Sequence, residues 1–242
     1  MPNPTAAILI IGDEILSGRT REGNAHFLAS KLVEHGIDCR EIRVIPDDHA
    51  GIIEAVRALS KRFDHVFTSG GIGPTHDDIT ADAVAEAMGV GLDVRDDARA
   101  LLAKHYAARD TEFTAARLRM ARIPDGATLI DNPVSVAPGF SCDNVHVMAG
   151  VPNIFQAMVT GLLPRLTGGA PVISRNWQVM EAESTVADEL RAIAGQFGDL
   201  SFGSYPFVQE GRYGTNLVVR GQEPAQVEAG LGALKSAFPE GQ

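Results

Sequence analysis

Strand-like and helix-like patterns alternate along the first two-thirds of the chain. Ala6 to Ile11 is a continuous apolar run, Cys39 to Ile45 alternates, His65 to Thr68 is short and apolar-rich, and Val145 to Met148 leads into Ala149-Gly150-Val151-Pro152. Each reads as a strand. Between them, Asn24 to His35 gathers Phe27, Leu28, Leu32 and Val33 on one side and stops at Gly36, while Ala50 to Arg62 gathers Ile53, Val56 and Leu59. These are helical spacings with a glycine stop. Ala81 to Met88, Asp96 to Arg109 and Thr114 to Ala121 continue the helical pattern, Asp125-Gly126 marks a turn, and Ala127 to Phe140 reads as strand and loop. The alternation predicts an α/β fold, a three-layer α/β/α arrangement with a mostly parallel sheet.

Composition shifts near Leu166-Thr167-Gly168-Gly169-Ala170-Pro171, which reads as a linker between a domain over 1–167 and a small α+β domain over 172–242. In the latter, Val172 to Glu183 reads as a strand, Ser184 to Phe197 as a helix begun by a Ser-Thr cap, Leu200 to Phe207 and Tyr213 to Arg220 as strands, and Pro224 to Phe238 as a closing helix. A βαββα unit of this length can form a two-layer sandwich. No internal repeat is evident.

With 242 residues, 45% hydrophobic and 21% charged, the chain has the composition of an ordinary soluble protein. Its net charge of −10 argues against general nucleic-acid binding, and the local Arg117, Arg119 and Arg122 group fits a solvated helix face better than a basic patch. Cys39 and Cys142 have no metal-ligand spacing and read as one buried thiol each. Met1-Pro2-Asn3-Pro4 has no basic region and Ala6 to Ile11 is too short to span a membrane, so a cytoplasmic location without membrane partners is expected.

Chemistry gathers where strands end. Ser69-Gly70-Gly71-Ile72-Gly73-Pro74-Thr75-His76-Asp77-Asp78-Ile79-Thr80 joins the third strand to a helix. Its glycines let consecutive backbone N–H groups converge on an anion, most often a phosphate. Asp77 and Asp78 bring negative charge to the same place, which suits a phosphate ligand only with a divalent cation between them. The same residues also fit a tight turn in which Asp78 or Thr80 caps the next helix. Gly12-Asp13-Glu14 follows the first strand, Pro46-Asp47-Asp48 the second and Gly150-Val151-Pro152-Asn153 the fourth. In a parallel sheet these turns lie along one edge, where ligands bind in open α/β folds. Asp13 and Glu14 fit equally as charges at a helix start, and Asp48 as a cap, which leaves Asp47 the better functional candidate. Asn132-Pro133 and Ala137-Pro138-Gly139-Phe140 form a second small-residue loop, either a turn or a close approach to ligand. His76 fits a phosphate contact or a solvated loop residue. In the small domain, Trp177, Tyr205, Phe207 and Tyr213 offer aromatic surface for an adenine or flavin ring, or pack the sheet.

Gly12-Asp13-Glu14-Ile15-Leu16-Ser17-Gly18, the Ser69 to Thr80 loop, the Asn132 to Gly139 segment and Gly150-Val151-Pro152 together resemble the molybdopterin-binding family of MogA, MoaB and the N-terminal domain of CinA. The CinA-like branch, which includes the domain fused to eukaryotic FAD synthases, is most similar, and Gly203-Ser204-Tyr205-Pro206 resembles the small domain that follows it. The resemblance implies a MogA-like fold, a homo-oligomer, and a pterin or nucleotide held in the crevice. The acidic positions important in adenylylating members match Asp47 and Asp78. The branch is associated with divalent-metal-dependent hydrolysis of pyrophosphates such as ADP-ribose or FAD. Two departures stand out: the usual Leu-Pro-Gly-Val-Pro reads Met148-Ala149-Gly150-Val151-Pro152, and the acidic residue expected just afterwards is absent at Asn153-Ile154-Phe155. No deamidase or FAD-synthesising segment follows, so a stand-alone hydrolase or binding protein is expected.

The resulting expectation is a nucleotide pyrophosphatase using Mg²⁺, Mn²⁺ or Co²⁺. Asp47 and Asp78 would be catalytic. Gly70, Gly71, Gly73, Pro74, Thr75, Asn132, Gly139 and Gly150 would hold the ligand. Asp13, Glu14, Asp77 and Asp78 would hold the metal. The alternatives are a molybdopterin-binding module without chemistry, and a molybdopterin adenylyltransferase.

Overall fold

The computed structural model describes residues 2–242, which form two compact units, one ending at Gly169 and the other running from Ala170 to Gln242. The first unit begins with β1 (Thr5–Ile11), α1 (Asp13–Leu16), α2 (Asn24–Glu34), β2 (Asp38–Ile45), α3 (His49–Ser60), β3 (His65–Ser69) and α4 (Thr80–Met88). It continues through β4 (Leu92–Val94), α5 (Asp96–Ala107), α6 (Ala115–Leu118), β5 (Arg122–Pro124), β6 (Thr128–Ile130), β7 (Gly139–Cys142), β8 (Val145–Met148) and α7 (Pro152–Leu162). Six strands form one sheet in the order β2-β1-β3-β8-β7-β6. The first four are parallel, and β7 and β6 extend the sheet antiparallel.

β1 shows why its sequence is a continuous apolar run. Ala7, Leu9 and Ile11 pack with Ile52, Val56 and Leu59 of α3 and Val84 of α4, while Ala6, Ile8 and Ile10 pack with Leu28 and Leu32 of α2 and Phe155 and Met158 of α7. A strand covered on both faces has no polar side to alternate with. α7, for which the sequence reading placed no element, starts with Pro152 in its first turn, where the missing N–H is not needed.

The helix expected over Thr114 to Ala121 is shorter: α6 gives way to a 3₁₀ turn at Arg119–Ala121 and then to β5. Its arginines are not a solvated face. Arg122 makes a two-point ion pair with Asp82, the Arg117 guanidinium lies 4.3 Å from the Tyr106 ring centre, and Arg119 Nη2 donates to the Asp78 carbonyl at 3.2 Å. Packing at the α4–α5 side recruits them. Cys142 is buried and Cys39 half-buried, both free. Among the described residues, no helix is long and apolar enough to cross a membrane.

The second unit contains β9 (Ile173–Val179), α8 (Glu183–Ala194), β10 (Ser201–Gln209), β11 (Arg212–Gly221) and α9 (Pro224–Ala237). Its antiparallel sheet has the order β10-β11-β9, and Val179, Leu217 and Val219 pack against Val186, Ile193, Val227 and Leu234 of the two helices. The expected Ser-Thr cap is not formed. α8 begins earlier, Ala182 occupies the capping position, and Ser184 and Thr185 fall inside the first turn.

At the N-terminal side of the sheet, His146 is 3% exposed, with Nδ1 2.8 Å from Ser141 Oγ and Nε2 3.1 Å from His65 Nδ1. Burial, reinforced by the His65 and Arg165 charges, pushes its pKa down to about 3. The folded state therefore refuses a proton that the unfolded chain accepts below about pH 6.5. Stability is unaffected above that pH and falls as pH drops toward 3. Between pH 7 and 5 the loss should be about 2 kcal/mol, and His146→Gln should flatten it. Urea unfolding at both pH values measures this; equal slopes in parent and variant would exclude His146 as the cause.

Candidate functional site

β1, β2, β3 and β8 end along one edge of the sheet, and the turns that follow them converge on a cavity of about 530 Å³. Glu14 comes from the first turn, Asp47 from the second, Gly70 to Pro74 with Asp77 and Asp78 from the third, and Gly150 from the fourth; Asn132 joins from the loop after β6.

The glycine loop is held by its backbone. Gly70 has φ +114° and a Cβ there would sit 2.2 Å from the Ile11 carbonyl oxygen; Gly71 has φ +68° and would meet Thr80 Oγ1 at 2.1 Å. Only glycine fits such positions. Gly70 N–H donates to the Met148 carbonyl at 3.1 Å, so it is spent on the sheet, while Thr80 N–H donates to the Gly71 carbonyl at 3.0 Å. By contrast, the N–H groups of Gly71, Ile72 and Gly73 have no acceptor among the described residues. Free donors at the mouth of a cavity are what an anion requires. The donor set is thus Gly71 to Gly73, with Gly70 as the pivot. Gly150 packs with its would-be Cβ 3.2 Å from Gly70 Cα, keeping the two turns together.

Asp78 is fixed from both ends. Thr75 N and Oγ1 donate to its Oδ2 at 2.8 and 2.5 Å, and Arg119 donates to its backbone carbonyl, leaving Oδ1 without a protein partner. Asp47 Oδ2 accepts from Asp13 N at 2.9 Å. Its carboxyl titrates above the ordinary range because it is partly desolvated and because Asp13, Glu14 and Asp77 add like charge. Asp48 is spent elsewhere, capping α3 through Gly51 N at 2.7 Å.

The remaining expected residues divide. Thr75 acts through Asp78 and is not part of the lining; Asp13 contributes its N–H while its side chain faces solvent. Asn132 uses its side chain to hold the loop, accepting from Val134 and Ser135 N and donating to the Ala137 carbonyl. Gly139 does not reach the cavity. It lies in β7, where a Cβ would strike the Val147 carbonyl at 2.2 Å and Met158 at 2.5 Å, so sheet packing accounts for it. His76 is fully exposed beside Asp77.

Among the described residues no group of three or more His, Cys, Asp and Glu stands ready to hold a metal. The carboxylates fit a cation of the Mg²⁺ type, which is commonly held by one or two carboxylates plus ligand phosphates. The Asp47 pKa is raised first by desolvation and then by the like charges of Asp13, Glu14 and Asp77. Its ionisation costs the folded state stability as pH rises through the raised pKa, so the cost is present at pH 7 and absent well below pH 4. Asp47→Asn should therefore raise the ligand-free melting temperature at pH 7 and not at pH 3.5. A variant melting equally or lower at pH 7 would contradict the destabilising ionisation of Asp47.

Two positioning residues carry no recognisable sequence signal. Asn24 is buried and donates to Ser69 Oγ at 2.9 Å and the Gly150 carbonyl at 2.8 Å, tying two cavity turns to α2. Arg119 supports the Asp77-Asp78 segment from 41 residues away in sequence. The apolar side of the cavity, Ile72, Met120, Val151 and Ile154, is likewise assembled from distant segments.

Comparison with known proteins matches residues 7–168 to the family described as "Probable molybdopterin binding domain" and residues 171–242 to "FAD synthase, middle domain". A protein of Pyrobaculum calidifontis is 35% identical, covering 84% of this chain and 81% of that protein. A "Probable FAD synthase" of Caenorhabditis elegans is 33% identical over 96% of this chain, which spans only 49% of that relative. A crystal structure titled as CinA, of unknown function, from Thermoplasma acidophilum superposes with a TM-score of 0.62 and 36% identity, covering 66% of this chain and 98% of that one. The chain belongs to the MogA- and MoaB-like molybdopterin-binding domain family, among relatives that include CinA proteins and FAD synthases.

Proposed function

We propose that the crevice hydrolyses the pyrophosphate bond of a nucleotide-containing cofactor of the FAD or ADP-ribose type, with a divalent cation. The observation that carries this reading is the juxtaposition of unpaired N–H donors at Gly71, Ile72 and Gly73 with Glu14, Asp47, Asp77 and Asp78 around one cavity. Donors alone would suit any anion; carboxylates facing them suit an anion that arrives with a cation.

The glycine-loop N–H groups would bind the phosphate oxygens and stabilise the charge that builds there in the transition state. The free Oδ1 of Asp78, held in place through Thr75, would ligate the cation, with Glu14 and Asp77 adding charge at the rim. A bound Mg²⁺, Mn²⁺ or Co²⁺ supplies Lewis acidity toward the phosphoryl oxygens and lowers the pKa of a bound water. Asp47, whose carboxyl is already a better base than an ordinary aspartate, would orient the attacking water and accept its proton. Ile72, Met120, Val151 and Ile154 would take the flat ring.

That apolar wall, with the family match, also favours a second reading, a molybdopterin-binding module without turnover. Product analysis separates the readings. The protein is incubated with metal and FAD, ADP-ribose or NAD, and separately with molybdopterin and ATP. AMP from a dinucleotide supports hydrolysis. Tight pterin binding without turnover supports the module, and adenylylated pterin would make the crevice a transferase.

A further inference from the structure

The sheet of the second unit has one face covered by α8 and α9 and one that is not. Register assigns each residue. On the helix side, Arg175 pairs with Glu228, Trp177 Nε1 donates to the Phe238 carbonyl and Ser204 bonds Glu183. Tyr205 and Phe207 alternate onto the opposite face, opposite Asn216 and Gly214 of β11. Of the four aromatic residues considered from sequence, only these two stand on that face.

Both rings lie over glycine. A Cβ on Gly214 would sit 2.4 Å from Phe207 Cζ, and one on Gly203 would sit 3.3 Å from Tyr205 Cε2. With no side chains beneath them, the rings can spread along the strands beside Val218, and Tyr205 stays 47% exposed. Cross-strand aromatic–glycine pairing by itself only steadies the sheet. The charges on this face say more. The chain carries a net charge of −10, yet the charged residues that register puts here are Arg212 and Arg220, with no carboxylate. Arg220 Nη2 donates to Tyr205 Oη at 3.0 Å, with its guanidinium carbon 5.7 Å from the ring centre. The neighbouring positions are the amides Asn176, Gln178 and Asn216. Two aromatic rings on one sheet face, cations at their border and amide groups beside them together match a heteroaromatic ring bearing a phosphate.

We infer that this open sheet face is a second nucleotide site, which stacks an adenine or isoalloxazine ring on Tyr205 and Phe207 and receives the phosphate at Arg220. It takes a small nucleotide and stands independently of the crevice reading.

The test is titration of FMN, one ring with one phosphate, into the full chain in EDTA, followed by quenching of flavin fluorescence. Parent and Glu228→Gln proteins, the latter altered only on the helix-covered side of the sheet, should quench FMN equally and saturably. Tyr205→Ala and Arg220→Gln should each weaken binding by roughly tenfold or more, with Tyr205→Phe restoring most of it and thermal melts confirming folded variants. AMP should compete and ribose 5-phosphate should not. Unchanged affinity in both variants, or no saturation below about 1 mM, would overturn the inference. An oligoadenylate that binds more tightly per nucleotide than AMP would overturn the assignment to a small ligand.

Discussion

Replacing Asp78 by alanine is expected to lower metal-dependent AMP release from ADP-ribose or FAD by about a hundredfold or more. The loss has two parts. Alanine removes a carboxylate that two hydrogen bonds from Thr75 hold at Oδ2 and whose Oδ1 has no protein partner, the atom assigned above to the proposed cation. It also removes the acceptor that orders Thr75, so the loop itself loosens. Asp78→Asn separates these effects, because an asparagine oxygen can still accept from Thr75 N and Oγ1 while carrying no charge. If charge at the metal is what matters, Asp78→Asn should melt near the parent and remain as inactive as Asp78→Ala. Parental AMP release from either variant would remove Asp78 from the mechanism.

The second large effect is structural. Gly70→Ala puts a Cβ 2.2 Å from the Ile11 carbonyl oxygen at a φ of +114°, and Ile11 ends a strand paired on both sides. Neither partner has a side chain to swing away. The variant should lose about 3 kcal/mol or more of stability, or fail to accumulate folded. Gly73→Ala is the control: the atoms its Cβ meets first belong to the Asp78 carboxylate, the far end of a side chain rather than backbone, and the fold should survive. Urea unfolding of the two variants compares them. A Gly70→Ala protein as stable as Gly73→Ala would show that β1 and the glycine loop are not locked together.

The central architecture was legible because its residues report on themselves. β1, β3 and β8 are short apolar runs buried on both sides, and α2 and α3 carry clear helical spacing, so a mostly parallel α/β sheet followed from periodicity alone. The antiparallel β7 and β6 were visible only as strand and loop, since their direction is set by pairing with β8 rather than by their own residues. The crevice was legible in outline for a topological reason: turns after parallel strands share an edge. Within it, the division of labour was not. Gly70 and Gly71 look alike in sequence, yet one N–H is bonded to Met148 and the other is free. Gly139 looked like a ligand-loop glycine and instead lets β7 approach Met158. Asn24 at a helix start and Arg119 in a 3₁₀ turn carry nothing local to show that they brace the cavity. Such roles depend on contacts distant in sequence, which periodicity and spacing do not encode.

The most direct test of the pyrophosphatase account is the time course of AMP formation from ADP-ribose and from FAD by the purified chain, with Mg²⁺, Mn²⁺ or Co²⁺ and with EDTA. The account predicts AMP with at least one metal, none in EDTA, and restoration when metal is returned in excess. No AMP from either substrate under any metal, from protein shown to be folded, would contradict it and leave pterin binding and adenylyl transfer as the readings to test.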